Sequence, residues 1–232
     1  MAIQRLTLAQ IAANILEIMG YKSSTQAPWS SDDTLYLRIN EYGQRLPMRL
    51  NTIAAQMEIP TPVRFSMWRT VADSGTATIT GIQVAAGSAT CYLPVNYDHW
   101  ISFYNLTDSK AVYPIKDSRR WEIDELVTSP PGMVRYIDIG GFTTEGVNWR
   151  RLATLYPTPI SGNTPSIRLE YYRLPAAMSV VGDYPDVDPK YESIFIYGTI
   201  TDLARSTGQE FDRYAALEKE MLVEMLSTCR SV

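Results

Sequence analysis

The chain has one histidine, His99, and two cysteines, Cys91 and Cys229, and these are side chains that often carry catalysis or bind metals. His99 lies beside Trp100 in the stretch YDHWISFY. Metal sites of this type usually need two or more such ligands, and neither cysteine belongs to a C-x-x-C pair. We therefore interpret His99 as a strand-edge residue, expect both cysteines to be reduced, and predict no zinc site and no thiol redox centre.

Acidic residues cluster at two places where neighbouring carboxylates are able to do chemistry. The segment WEIDEL carries Glu122, Asp124 and Glu125, and a glycosidase needs two carboxylates across the bond that it cleaves. The segment GDYPDVDP, residues 182–189, alternates acids as a calcium loop does, but it lacks the central glycine and the bidentate glutamate of an EF-hand. We interpret the first cluster as the solvated face of a short helix and the second as turn and capping residues.

Other sequence patterns point to neither catalysis nor a cofactor. The sequence contains no phosphate-binding glycine loop and no G-x-S-x-G nucleophile elbow. We interpret Gly140-Gly141 as a turn, and the sequon at Asn105 carries no weight without a secretory signal. The sequence therefore predicts a protein that is not an enzyme and that needs no cofactor and no metal.

The charge distribution argues against specific binding of nucleic acid. The formal net charge is −4, and residues 179–232 hold ten acidic and five basic residues. Because a grip on phosphates depends largely on lysine and arginine, we expect DNA to pass this protein without specific binding. Polar residues interrupt the first twenty residues, and no stretch reaches about 18 apolar residues, so we expect neither a signal peptide nor a membrane span.

Two aromatic residues lie in unusual surroundings. Most of the fifteen tyrosines and five tryptophans lie in β-rich stretches, where an aromatic side chain ordinarily fills a sheet face. Trp29 and Phe142 instead lie in stretches rich in Ser, Gly or Thr. Because aromatic residues in loops are candidates for protein contacts, we predict Trp29 and Phe142 as interface residues.

Two helices are predicted in the N-terminal part of the chain. Apolar spacing predicts a helix over residues 8–19, opened by a capping box of Thr7 and Gln10. A second helix is predicted to begin at Asp32 or Asp33 and to contain a kink, or a junction of two abutting helices, at Pro47.

Two more helices are predicted in the C-terminal part of the chain. The helical pattern begins after Asp186, and Gly208 separates the two helices. In the last helix, Glu218, Lys219 and other charged residues are predicted to lie opposite the apolar stripe.

Between residues 63 and 178 the pattern is that of β-structure. The polar residues 107–110 predict a hairpin loop, and SRRWEIDELV, residues 118–127, predicts a short helix. The stretch LATLYPTPISGNTPSIRLEYYRLP predicts a second hairpin, with residues 154–156 and 167–171 as its arms and prolines at its ends.

This order of elements predicts an α+β fold, in which helices from both ends of the chain form one bundle and a mostly antiparallel β domain is inserted between them. The predicted division is residues 1–62 for the N-terminal helices, residues 63–178 for the β domain and residues 179–232 for the C-terminal helices.

Several segments resemble the head-to-tail adaptor proteins of tailed bacteriophages, the family that includes the tail tubular protein A of short-tailed phages. They are CYLPVNYDHWISFYN, LYPTP and LEYYRLP, in this order, followed by a helical segment that begins at PDVDPKYES. The residues that carry the resemblance are Leu93, Pro94, Tyr156, Pro157, Pro159, Tyr171, Tyr172 and Pro175. The sequence departs from the family at Asn96, where an aspartate is usual.

The resemblance implies a structural protein of the virion neck, made in the host cytoplasm. It implies a ring, typically of about twelve copies, that docks beneath the portal protein, extends the DNA channel and gives the tail nozzle or other tail proteins a platform. Two alternatives stay open. One is another neck or tail ring component, such as a head-completion or nozzle-proximal protein, and the other is a carbohydrate-binding β-domain protein.

Overall fold

The computed structural model describes residues 5–27, 31–74, 82–84, 87–115, 130–145, 148–162, 164–207 and 212–229. These residues form four α-helices and eight strands, so the fold is α+β, as predicted. The helices are α1 (Leu8–Ile18), α2 (Asp32–Gln56), α3 (Ile194–Thr207) and α4 (Asp212–Thr228). The strands are β1 (Arg69–Asp73), β2 (Gln83–Val84), β3 (Thr90–Tyr92), β4 (Tyr97–Asn105), β5 (Lys110–Pro114), β6 (Tyr136–Glu145), β7 (Asn148–Tyr156) and β8 (Ile167–Arg173).

Contacts within the chain separate two compact units. One, the helical unit, comprises Met1–Trp68 and Leu174–Val232, and the other, the β unit, comprises Arg69–Arg173. Each unit has its own cluster of buried apolar residues, so each is described by itself.

Helix α1 begins with the predicted capping box. The backbone N–H of Gln10 donates to Thr7 Oγ1 at 3.3 Å, and the backbone N–H of Thr7 donates to Gln10 Oε1 at 2.9 Å. These two bonds satisfy N–H groups that have no partner within the first turn of a helix. Ile11 and Ile15 are buried on one face, which confirms the predicted stripe.

Helix α2 runs without interruption through Pro47, so the predicted alternative of two abutting helices is wrong. A proline costs the helix one hydrogen bond, but the buried Leu46 and Leu50 flank it and pack in the same core. Their burial stabilises the continuous helix. Ser31 caps its N-terminus by accepting a hydrogen bond from the backbone N–H of Thr34 at 3.2 Å, and Asp32 lies in the first turn.

Helices α3 and α4 share the core of the helical unit with α1 and α2. The apolar spacing after Asp186 predicts that Ile194, Phe195 and Thr201 share one face of α3, and all three are buried. Gly208 lies outside the described residues. No described helix combines the length and the apolar composition that a bilayer crossing needs.

The β unit consists of one sheet with the strand order β1-β8-β4-β5-β6-β7-β3-β2. Every pair of neighbouring strands is antiparallel except β5 and β6, which are parallel over Tyr113–Pro114 and Tyr136–Ile137. The hairpin predicted around residues 107–110 is confirmed as the turn between β4 and β5. The predicted helix over residues 118–127 lies outside the described residues.

The second predicted hairpin is wrong, because its two arms do not pair with each other. The arm 154–156 ends β7, which pairs with β6 and β3, and the arm 167–171 belongs to β8, which pairs with β1 and β4. Three strands lie between β7 and β8 in the sheet. The chain after Tyr156 therefore crosses from β7 to β8, and Pro157, Pro159 and Pro165 in this connection have no N–H group to donate to a ladder.

The turn predicted at Gly140-Gly141 is also wrong. Strand β6 continues through both glycines, and its register against β7 shifts between Ile139 and Phe142. Such a bulge admits extra residues into a strand without ending it, and glycine favours this irregular geometry. Phe142 therefore lies in a strand and not in the predicted loop.

Candidate functional site

Within the described part of the chain, the candidate metal-binding residues are not gathered into a metal site. Among the residues that the structure describes, no group of three or more histidine, cysteine, aspartate or glutamate side chains is arranged to hold a metal ion. Cys91 and Cys229 are both free thiols. Burial raises the pKa of the Cys91 thiol to about 12, although Arg150 opposes the shift, so this thiol is protonated at neutral pH.

His99 lies in β4, opposite Tyr172 of β8. Its ring stacks on Trp100, with the ring centroids 5.8 Å apart and an interplanar angle of 24°. Among the described strands, β5 pairs with β4 only from Phe103 to Asn105, so His99 has a paired strand on one side. Strand β4 itself lies inside the sheet, between β8 and β5, and His99 is near its first residue.

The acids of GDYPDVDP make turns and caps, as predicted. Asp183 Oδ2 accepts the backbone N–H groups of Val180 at 2.9 Å and of Ser179 at 2.6 Å, and these bonds lower the pKa of Asp183 below its ordinary value. Asp186 and Asp188 accept backbone N–H groups at 2.8 and 2.9 Å in the same manner. The acids of WEIDEL lie outside the described residues.

The first of the family-like motifs, Leu93-Pro94, is an anchor in the core of the β unit. Leu93 is fully buried, and its carbonyl accepts a hydrogen bond from Arg150 Nε at 2.9 Å. The carbonyl of Pro94 accepts the backbone N–H of Tyr97 at 3.0 Å. Sequence reasoning missed Arg150, because Arg151 stands next to it in NWRRL and nothing in that pattern indicates which of the two is buried.

The second motif, LYPTP, ends strand β7. The carbonyl of Tyr156 accepts the backbone N–H of Arg135 at 2.8 Å, and Pro157 follows through a cis peptide bond. Pro159 is buried. This motif therefore fixes the path of the chain as it leaves the sheet.

The third motif, LEYYRLP, contains the end of β8. Tyr171 is buried, stacks on Tyr97 with ring centroids 5.9 Å apart, and donates from its hydroxyl to Asn96 Oδ1 at 2.9 Å. An aspartate oxygen at position 96 accepts the same hydrogen bond, so the departure from the family pattern leaves this contact in place. Tyr172 is half-buried in β8, and Pro175 is buried just after it. Leu93, Pro159, Tyr171 and Pro175, the buried members of the three motifs, contribute to packing within the fold.

The helical unit contains a buried ionic network that contradicts one prediction. Glu218 was expected on the solvated face of the last helix, but it is only 5% exposed. Arg49 Nη1 donates to Glu218 Oε1 at 2.6 Å, and the hydroxyl of Tyr42 donates to the same oxygen at 3.0 Å. Arg49 Nη2 also donates to Asp202 Oδ2 at 2.6 Å. The network joins α2, α3 and α4, and a buried carboxylate with such partners is stable where a lone one is not.

The same network determines the protonation of Tyr42. Burial and the nearby Glu218 carboxylate raise the pKa of Tyr42 well above its ordinary value. The phenol is therefore a permanent hydrogen-bond donor to Glu218. The guanidinium of Arg49 lies 4.8 Å from the centre of the Tyr42 ring, which adds a cation–π contact.

A second ion pair ties the N-terminal segment to the helices. Glu192 is buried, and its Oε1 accepts a hydrogen bond from Arg5 Nε at 2.7 Å while its Oε2 accepts the backbone N–H of Leu6 at 2.5 Å. Arg5 Nη2 also donates to the carbonyl of Pro185 at 2.8 Å. These bonds hold the chain before α1 against residues 185–192.

The helical unit has an open cleft of about 600 Å³ between α2, α4 and the end of α3. We call it the cationic cleft. Its lining includes Arg45, Met48, Arg49, Arg205, Glu218 and Lys219. It combines exposed cations with apolar walls, which is a composition suited to binding a protein segment.

The β unit has an exposed aromatic patch on β6 and β7. Phe142 is 60% exposed and Trp149 is 65% exposed, and Arg151 lies with its guanidinium carbon 4.4 Å from the centre of the Phe142 ring. Phe142 is paired with Arg151, and Thr144 with Trp149, so these side chains share one face of the sheet. Trp149, the second residue of β7, was not predicted as an interface residue. Trp29, the other predicted interface residue, lies outside the described residues.

Comparison with known proteins identifies the family to which the chain belongs. The model of the SU10 adaptor protein family matches residues 12–227, which include all eight strands and nearly all of the four helices. No curated protein matches the chain. The match confirms the resemblance to phage adaptor proteins, and it places the protein among structural proteins of phages. The chain therefore belongs to the SU10 adaptor protein family and is a bacteriophage head-to-tail adaptor protein.

Proposed function

We propose that the protein forms a ring beneath the portal, extends the DNA channel below it and provides the surface on which the tail docks. The observation that carries this proposal is the family match over residues 12–227. The residues that were candidates for catalysis or metal binding support the proposal further. His99 lies in a strand, and Asp183 and Asp188 act as turn and capping residues.

The architecture that we propose for this role is a helical bundle made by both ends of the chain, residues 1–62 and 179–232, with the β domain of residues 63–178 inserted between them. The shared core of α1–α4 supports the bundle. The Arg49–Glu218–Asp202 network supports it as well, since it links a helix from the N-terminal part to two helices from the C-terminal part.

We propose that about twelve copies make the ring and that its partners are the portal protein on one side and the tail nozzle or another tail protein on the other. The protein then resides in the neck of the virion. DNA passes through the ring without specific binding. The ten acidic and five basic residues of the segment 179–232 support this, because an acidic surface repels phosphate groups.

We assign the aromatic patch of Phe142, Trp149 and Arg151 to contacts with these neck proteins. Large aromatic side chains and arginine are the residue types that contribute most to protein interfaces. Two neighbouring aromatic side chains, each more than half exposed on an ordered strand pair, have little role in the folded subunit alone.

Binding to the portal protein of the same phage tests the proposal. The protein is mixed with purified portal rings at several salt concentrations and sedimented, and its co-sedimentation with the portal is measured. We expect a complex with a fixed ratio of the two proteins. The absence of co-sedimentation at every salt concentration contradicts the proposal.

The alternative to a head-to-tail adaptor is a ring protein at another position in the neck or tail. A head-completion or nozzle-proximal protein belongs to the same class of structural virion proteins. Chemical cross-linking in intact particles separates the two. A head-to-tail adaptor is expected to cross-link to the portal on one side and to a tail protein on the other, whereas a nozzle-proximal subunit gives no cross-link to the portal.

A further inference from the structure

We propose that the cationic cleft of one copy receives the acidic loop of the next copy, residues 179–188, and that this contact closes the ring. The inference rests on the proposed ring-forming function and names the two surfaces that make the ring.

The cationic cleft carries exposed positive charges that are available to bind another molecule. Arg45, Arg205 and Lys219 are exposed at the cleft, and among the described residues none of them forms an ion pair. Arg49 differs, because Asp202 and Glu218 neutralise it within the subunit. The cleft therefore presents three cations without a carboxylate partner in the described part of the chain, whose full sequence has a net charge of −4.

The cleft also offers apolar surface. Met48 is 62% exposed at its edge, and Ile53 and Leu222 contribute to its walls. A volume of about 600 Å³ has room for several side chains. A phosphate backbone makes no use of apolar walls, and the Glu218 carboxylate in the lining is already paired with Arg49 inside the subunit. The lining therefore favours a protein segment that carries both carboxylates and apolar side chains over DNA.

The acidic loop has this composition. Its sequence SVVGDYPDVD carries Asp183, Asp186 and Asp188 and no basic residue. Val180 is 59% exposed and Val181 is 55% exposed, so two neighbouring apolar side chains are turned toward solvent. The loop and the cleft thus match in both charge and apolar character.

The acidic loop is held in one conformation. The backbone N–H groups of Leu8 and Ala9 at the start of α1 donate to the carbonyls of Asp183 at 2.8 Å and of Val181 at 3.0 Å. Because Asp183 also accepts the N–H groups of Ser179 and Val180, the loop loses little conformational freedom when it binds. An ordered loop with exposed valines is better suited to a permanent contact than a mobile one.

The two surfaces lie on different parts of the helical unit. The acidic loop is attached to the start of α1, and the residue before it, Met178, bonds to Asn40 in the first half of α2. The cationic cleft lies along residues 45–56, in the second half of α2. One copy therefore carries both complementary surfaces, and a contact between two different surfaces repeats head to tail and gives a ring when the rotation between copies closes.

Cysteine cross-linking of mixed copies tests the contact. One variant carries Met48→Cys and the other carries Val181→Cys, both in a Cys229→Ser background, and rings are assembled on the portal protein of the same phage. We expect a cross-linked dimer with a short bis-maleimide when the two variants are mixed, and none when either is assembled alone. Leu37→Cys, which is exposed on the first half of α2, replaces Met48→Cys as the matched control and is expected to give no dimer with Val181→Cys.

A charge reversal tests the same contact by another route. The double variant Arg205→Glu, Lys219→Glu is expected to lose ring assembly and to remain monomeric in sedimentation velocity. The control Lys22→Glu, Arg213→Glu makes the same change in net charge at two exposed residues outside the cleft and is expected to form rings. Circular dichroism verifies that both variants are folded.

The outcomes separate this inference from the proposed function. If rings form but the mixture of Met48→Cys and Val181→Cys gives no cross-linked dimer, the inference is overturned and the proposed function stays intact. A dimer formed by one variant alone also overturns it, because that result indicates a symmetric contact. A failure of the wild-type protein to bind portal overturns both. Binding of a short DNA duplex that is lost in Arg205→Glu, Lys219→Glu assigns the cleft to DNA and overturns the inference as well.

Discussion

Tyr42 and Gly198 interlock where α2 meets α3: a β-carbon at position 198 would lie 1.9 Å from Cε2 of the Tyr42 ring. Gly43 makes a similar approach to Phe195, since a β-carbon there would lie 2.7 Å from Cε1 of that ring. The two glycines give each helix a place for the other's aromatic ring. This close approach brings the Tyr42 hydroxyl to Glu218.

Replacement of Gly198 tests the packing of α2 against α3. Gly198→Ala is expected to lower the free energy of unfolding by about 3 kcal/mol, because the buried Tyr42 ring has no room to move away without losing its packing. Urea denaturation measures the change. Gly182→Ala is the matched control, since a β-carbon at that position meets no atom within 4 Å, and it is expected to change the stability little.

The buried network gives a second prediction. Glu218→Ala leaves the Arg49 guanidinium and the Tyr42 hydroxyl without their shared acceptor and is expected to cost about 3 kcal/mol of stability. Glu220→Ala, on the exposed side of the same helix, is expected to change it by less than about 0.5 kcal/mol. Equal effects of the two substitutions in denaturant unfolding contradict the structural role of Glu218.

The sequence predicted local features of the fold correctly and long-range features poorly. The capping box of α1 and the apolar stripe of α3 are local patterns, and both were predicted correctly. Strand β8 pairs with β1 and β4, which are distant in sequence, so the prediction that its arm pairs with the adjacent arm of β7 was wrong. The burial of Glu218 and Arg150 was also beyond prediction, because it depends on partners far along the chain, Arg49 and Leu93.

The thiol of Cys91 gives a prediction about pH. Burial raises its pKa from 9.0 to about 12, so the stability that its protonated form contributes is fully present below pH 9 and is lost as the pH rises toward 12. The free energy of unfolding is therefore expected to fall more between pH 8 and pH 10.5 in the wild type than in Cys91→Ala. Equal decreases in urea titrations of the two proteins contradict this assignment.

Thiol labelling checks the same burial directly. In the native protein at pH 8, a maleimide is expected to react with Cys229, which is partly exposed, and not with Cys91. Both cysteines are expected to react after unfolding in urea. Rapid labelling of Cys91 in the native state contradicts its placement in the core.

The aromatic patch yields a prediction about binding. Phe142→Thr with Trp149→Thr is expected to leave the protein folded, since both side chains are exposed on strands where threonine is favourable. The affinity for a neck partner is expected to fall at least about tenfold, because exposed aromatic anchors often contribute about 2 kcal/mol each. Calorimetry measures the affinity. Tyr113→Thr is the control, since Tyr113 is similarly exposed on β5 outside the patch and its loss is expected to leave binding unchanged.

The central claim is that this protein forms the ring between portal and tail. The most direct measurement is an electron-microscopic reconstruction of intact particles in which the subunit carries a compact label. The label is expected to form a ring of density directly below the portal, with about twelve copies, around the DNA channel. A label on the capsid surface, at the distal end of the tail, or at a single unrepeated position contradicts the claim.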